Sequence, residues 1–168
     1  MSNIKEFDVV VFGGGPSGTA AAVSAARNGL KVALVEAMGC LGGMSTSGLV
    51  NSFTPLNSGN LLVVRGFALE VIERLRSMHA ATCPMQEGYE WIKFEPESLK
   101  FLYDQLVEES GIYIRFFTVA IDVKRENDVI KSVTTYSKSG IEEWRAAIFI
   151  DATGDGDIAA KAGVPFKQ

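Results

Sequence analysis

The sequence predicts an α/β fold: a parallel sheet with helices against it, a three-stranded antiparallel β-meander, and a helical insertion. Three observations predict it. Residues 8–36, DVVVFGGGPSGTAAAVSAARNGLKVALVE, run from an apolar stretch through a glycine turn and an Ala-rich segment to a second β-branched stretch, the order of a βαβ unit. Residues 119–146 hold three strand-like runs separated by Glu126-Asn127-Asp128 and Lys138-Ser139-Gly140, both good turn chemistry. Residues 64–78 and 95–109 each place apolar side chains at helical spacing between charges.

Taken in order, residues 5–12 read as the first strand, with Asp8 before the apolar run. Residues 17–28 read as the first helix, and Asn28-Gly29 is its stop. Residues 31–36 are the second, parallel strand. Residues 38–60 are dense in Gly, Ser, Thr and Asn without a sustained period, and a loop that long in a compact domain is usually functional or disordered. The helix over 64–78 puts Phe67, Leu69, Val71, Ile72 and Leu75 among charges; residues 80–90 are irregular, and 89–94 form a short strand. Pro96 suits the first turn of the next helix, with Leu99, Leu102, Leu106 and Val107 on one face and Ser110-Gly111 as its end. Residues 112–117 return as a third strand of the first sheet. After the meander, residues 147–150 read as a buried strand that leads into DATGDGD, and residues 158–162 as a short helix stopped by Gly163. Residues 59–95 fit an insertion in one domain spanning 1–168, being too small to bury a core alone.

The glycine turn carries the chemistry. Gly13, Gly15 and Gly18 fill the three glycine places of the Rossmann-like dinucleotide fingerprint. Gly13 permits the tight turn out of the strand, Gly15 lets backbone approach a pyrophosphate, and Gly18 with Ala22 lets the helix lie close to the sheet. The helix N-terminus, at Pro16 and Ser17, offers unpaired N–H groups and a partial positive charge to phosphates. Glu36, closing the second strand ahead of Ala37, can accept hydrogen bonds from both hydroxyls of an adenosine ribose. The pair Gly42-Gly43 lets the chain double back beneath the helix N-terminus and add N–H donors.

Composition narrows the classes. With 47% apolar residues the chain can bury a real core. The formal charge of −4, without a basic stripe, gives no footprint for nucleic acid. No apolar run approaches the ~18 residues of a membrane span, and the start of the chain lacks a signal-peptide pattern, so the expected compartment is the cytoplasm. The two cysteines, Cys40 and Cys83, form no CxxC pair, and the one histidine is His79, so no metal site is expected. His79 reads as a surface histidine, Cys40 as an unreactive thiol, and Trp91 and Trp144 as packing residues.

Three blocks now carry a family resemblance: DVVVFGGGPSGTAAAVSAARNGLKVALVE, then CLGGMSTSGL from Cys40, then FIDATGDGDIAAKAGVPF from Phe149. In order and spacing the chain resembles the N-terminal part of the FAD-dependent oxidoreductases of the glutathione-reductase-like flavoprotein superfamily. The first block leaves NAD and FAD both open; the glycine pair, the meander and the ATGDGD block favour FAD. The resemblance implies that Gly13, Gly15 and Gly18, with Pro16 and Ser17, hold the FAD pyrophosphate, and that Glu36, beside Ala37, holds the adenosine ribose. It implies that Gly42 and Gly43 approach the pyrophosphate and the flavin end and that Val119 meets adenine through its backbone. Thr153 and Gly154 then belong to a turn packed against the cofactor, while Asp155 and Asp157 either bond cofactor or loop backbone or cap the following helix.

Relatives of this kind continue into a substrate-binding region and a second glycine–aspartate turn, so a further segment or a partner chain is expected to supply them. The implied reaction is hydride or electron transfer between a small organic substrate and FAD, with no acid or base identifiable. The alternative is a non-catalytic dinucleotide-binding subunit or a fragment that needs a partner chain.

Overall fold

In the computed structural model, which describes residues 3–53, 56–59, 61–82 and 91–167, the first strand β1 (Asn3–Phe12) is covered on both faces. Val9 and Val11 enter one apolar cluster, Val10 and Phe12 the other, and none of the four is more than 2% exposed. Successive strand side chains point to opposite faces, so a strand buried on both reads as the continuous apolar run seen here.

In chain order there follow α1 (Pro16–Arg27), β2 (Val32–Val35), the two-residue strands β3 (Ser52–Phe53), β4 (Asn57–Ser58) and β5 (Leu61–Leu62), α2 (Phe67–Ser77), β6 (Ile92–Lys93), α3 (Pro96–Glu109), β7 (Tyr113–Arg115), β8 (Val119–Glu126), β9 (Val129–Ser137), β10 (Gly140–Asp151) and α4 (Asp157–Lys161). The main sheet has six strands in the order β7-β2-β1-β10-β9-β8. Its β7, β2, β1 and β10 are mutually parallel, and β10, β9 and β8 pair antiparallel. The expected parallel sheet and meander are therefore two halves of one sheet, sharing β10.

That sharing corrects two expectations. The third meander run and the strand read at 147–150 are one continuous strand, because Arg145-Ala146-Ala147 offers no turn residue to separate them. The stretch is also not buried: Ala147 is exposed and Ile148 is 53% exposed. Pairing with β9 ends at Trp144, while pairing with β1 continues to Asp151, so the later half of β10 has one strand neighbour among the described residues.

Helices α1, α2 and α3 cover one face of the sheet. Val71 and Leu75 of α2 and Leu99, Leu102, Tyr103, Leu106 and Val107 of α3 share a cluster with Val9, Val11 and Leu34. Arg27, Glu70, Arg74 and Glu109 link the three helices by ion pairs of 2.6–2.9 Å at their exposed rims. The other face is closed by the meander and α4 over Trp144, which is fully buried and donates its indole N–H to Thr135 Oγ1 at 2.8 Å. Trp91 is the opposite case and corrects the packing expectation. It is 67% exposed, since the adjacent Ile92 takes the inward position. Residues 83–90 lie outside the described residues, and with them Cys83, Pro84 and the first part of the strand expected over 89–94.

Candidate functional site

The carboxyl ends of three parallel strands meet at one place. Phe12 of β1, Val35 of β2 and Asp151 of β10 are each followed by a segment singled out in the sequence. Backbone bonds tie these segments together: Gly13 N–H donates to Val35 O at 2.8 Å and Ala152 N–H to Phe12 O at 2.8 Å. Open α/β sheets receive ligands at this edge, where the loops leave the strands.

The three fingerprint glycines are glycine for different physical reasons. Gly13 has φ +97°, and a Cβ there would lie 2.2 Å from Ala152 O, so the turn leans against the segment after β10. A Cβ on Gly18 would lie 1.8 Å from Gly13 O, so α1 is pressed onto the turn. Gly15 is different. It caps α1 with an ordinary extended backbone, φ −66° and ψ −178°, and a Cβ there would meet nothing within 4 Å. Its missing side chain leaves open space in front of the helix end. That end has no side-chain cap, which leaves its first N–H groups to a ligand.

The glycine pair sits where the reading of the loop expects it. Gly42 N–H donates to Gly14 O at 2.8 Å, and a Cβ on Gly43 would be 3.2 Å from Gly15 Cα. Thr46, fully buried, locks this return by donating its hydroxyl to Leu41 O at 2.6 Å. Two glycine turns thus flank one small volume.

Beside it lies a cavity of ≈ 110 Å³ whose lining includes Gly13, Glu36, Ala37, Val119 and Thr153. Five of the residues named from the sequence come together here. Asp157, read from the sequence as either a cofactor or loop contact or a helix cap, lines it as a sixth; Thr118 and Ala120 also line it and were missed, because nothing in a strand start marks which side chains face inward. Glu36 is 7% exposed, and its carboxylate accepts the N–H of Gly14 on one oxygen and that of Met38, at 2.6 Å, on the other. An ionised carboxylate has about four lone-pair positions, so two remain for ligand hydroxyls. Gly154 and Asp155 are exposed and do not line this cavity.

The turn after β10 is organised by a residue the sequence reading passed over. Asp151 accepts the Thr153 hydroxyl at 2.8 Å and its N–H at 3.1 Å on one oxygen, and the Ala159 N–H at 2.8 Å on the other. Burial pushes this carboxyl up, but the backbone donors Ala159 and Ile158 with the two donors of Thr153 prevail and hold it below the usual aspartate range. Helix α4 starts at Gly156 without a side-chain cap at that position. Neither Asp155 nor Asp157 therefore caps it as one expected alternative had it. Asp151 performs that service from the strand end, and the first D of DATGDGD was the available signal.

His79 is exposed at the end of α2, and Cys40, partly exposed, has its Sγ 3.3 Å from Ser47 Oγ. Among the described residues no helix is long and apolar enough to cross a membrane.

Comparison with known proteins agrees with this geometry. A family model described as FAD dependent oxidoreductase matches residues 8–168. The chain is 49% identical over 43 residues to the soluble pyridine nucleotide transhydrogenase of Chromohalobacter salexigens, a match covering 26% of this chain and 9% of that protein. Among solved structures it is similar to a geranylgeranyl bacteriochlorophyll reductase-like protein from Thermoplasma acidophilum, with TM-score 0.70, 19% identity, and 98% of this chain against 44% of that one. It is also similar to p-nitrophenol 4-monooxygenase from Pseudomonas putida, with TM-score 0.69, 18% identity, and 99% of this chain against 45% of that one. At such identities the structural likeness shows the α/β fold, and the chain spans under half the length of both proteins.

Proposed function

The chain belongs to the FAD dependent oxidoreductase family, and from that premise we propose that it is the FAD-binding portion of a flavin enzyme of the glutathione-reductase-like superfamily. Its reaction is the transfer of hydride or electrons between a small organic substrate and FAD, the chemistry that a bound flavin supplies. The observation that carries the reading is the open space in front of Gly15, flanked by a second glycine turn and facing an uncapped helix N-terminus.

In this reading the backbone N–H groups of Gly15, Ser17 and Gly18 and the helix dipole hold the pyrophosphate, while Gly13 shapes the turn and Pro16, which has no N–H, opens the helix. Glu36 receives the ribose hydroxyls on its outward lone pairs, with Ala37 beside it. Val119 meets adenine through its backbone, and Gly42 and Gly43 close over the pyrophosphate towards the flavin. Thr153, Gly154 and Asp155 form the turn against the cofactor, held in shape by Asp151. A region beyond these residues, from a further segment or a partner chain, completes the substrate side.

The test is a titration of the chain into FAD followed by flavin fluorescence, with NAD as competitor. Saturable quenching by FAD that excess NAD does not reverse supports the reading. Equal competition by NAD sinks the flavin assignment while keeping the dinucleotide site.

A further inference from the structure

A second cavity, of ≈ 340 Å³, opens between the first turn of α1 and the start of α2, next to the glycine turn but outside the residues assigned to the dinucleotide's ribose and adenine. Its volume lies within the ~300–1,000 Å³ of small-molecule sites, and its walls are largely apolar, as such sites require. Phe53, Phe67, Val71 and Tyr103 form the greasy part, with the Phe67 and Tyr103 rings stacked at 6.2 Å between centroids. Tyr103 is 2% exposed, and its burial pushes the phenol up to about 12, so it stays neutral. Ser17 and Arg65 are the hydroxyl and the charge at this wall. Among the described residues that line the cavity Arg65 is the charged one, and its Nε donates to Leu62 O at 3.2 Å, which engages one edge of the guanidinium.

We propose that this cavity binds a small carboxylate with an aromatic or branched aliphatic body. The body packs among Phe53, Phe67, Val71 and Tyr103, and the carboxylate pairs with the planar fork of Arg65. Arginine suits that role because its donors match carboxylate geometry two at a time. An uncharged apolar ligand forgoes the ion pair that Arg65, exposed at the rim of the cavity, offers, and a dianion finds one cation for two charges. The cavity borders the glycine turn at Pro16 and Ser17, so its ligand and the dinucleotide are neighbours at separate sites.

The experiment uses phenylacetate and its uncharged analogue phenylacetamide as probes, followed by amide shifts of the isotope-labelled chain. Phenylacetate is expected to move the amides of Phe53, Phe67, Val71 and Tyr103 in a saturable way at millimolar concentration. Arg65→Gln is expected to weaken phenylacetate roughly tenfold and phenylacetamide less than about twofold, the size of one lost charge-assisted bond. Ala68→Phe, which fills the cavity from α2, is expected to weaken both; circular dichroism establishes that each variant is folded. Absence of saturable shifts in the wild-type chain, or equal phenylacetate affinity in Arg65→Gln, overturns the proposal. The FAD titration is run on the same samples. A chain that binds FAD but not phenylacetate loses this proposal alone, and one that binds phenylacetate but not FAD loses the flavin reading while keeping the ligand site.

Discussion

The carboxylate of Glu36, at the end of β2, accepts the backbone N–H of Gly14 inside the glycine turn that follows β1. Its other oxygen accepts Met38 N–H, so one buried side chain fixes both the turn and the start of the next loop. The residue proposed to receive the ribose is thus also part of the scaffold. Glu36→Gln keeps the shape but turns an amide NH2 towards one of two N–H donors. The expected result is a loss of about 1–3 kcal/mol of stability from one unmet buried donor. FAD affinity is expected to fall about tenfold or more for the second lost acceptor. Urea unfolding and flavin quenching on the same variant separate the two effects.

Gly15 and Gly18 are three residues apart in one motif and predict opposite phenotypes. A side chain at Gly15 has room and an allowed backbone, so Gly15→Val is expected to keep the melting temperature near wild type and to abolish FAD binding. At Gly18 the added carbon meets Gly13 O at 1.8 Å, so Gly18→Ala is expected to cost about 3 kcal/mol of stability, the upper end for overpacking. Thermal melts followed by flavin titration check both.

Asp151 gives a pH prediction with a definite sign. Its folded-state pKa is held below the usual aspartate value, chiefly because the donors from Ala159, Thr153 and Ile158 outweigh its burial. A depressed carboxyl contributes stability that is present above the unfolded value of about 4 and is lost as pH falls through the folded one. Wild type is expected to exceed Asp151→Asn at neutral pH by about 1–3 kcal/mol, and the gap is expected to close on acidification. Urea titrations from neutral to acid pH measure it; a gap independent of pH would contradict the assignment.

Tyr103 acts at the other end of the scale. Its phenol titrates at about 12 in the folded chain against 10.0 for the free side chain, because burial disfavours the phenolate. A raised pKa means that stability is full below 10 and declines as pH rises towards 12, by on the order of 2–3 kcal/mol. Tyr103→Phe is expected to lack that alkaline decline when unfolding is followed across the same range.

Much of this was legible in the sequence where one residue type answers one local demand. A glycine that must take φ +97°, or an apolar run buried on both faces, leaves a pattern independent of what folds around it. The placement of Glu36, Gly42 and Gly43 against the glycine turn was legible from their spacing along the chain. What escaped notice depends on partners distant in sequence. Ile148 reads as buried in its apolar run, yet its exposure follows from where β9 stops pairing. Trp91 reads as packing, yet strand alternation gives the inward place to Ile92. Asp151 reads as the last residue of a strand, and only the fold brings Thr153 and Ala159 to its two oxygens.

The most direct test of the central claim is flavin absorbance of the wild-type chain and Gly15→Val after incubation with FAD and gel filtration. A flavin band co-eluting with wild type at about one per chain, and absent from an equally folded Gly15→Val, is the result predicted for a cofactor held at the glycine turn. Equal flavin on both proteins, or none on a folded wild type, would contradict the claim that the space in front of Gly15 is the pyrophosphate site.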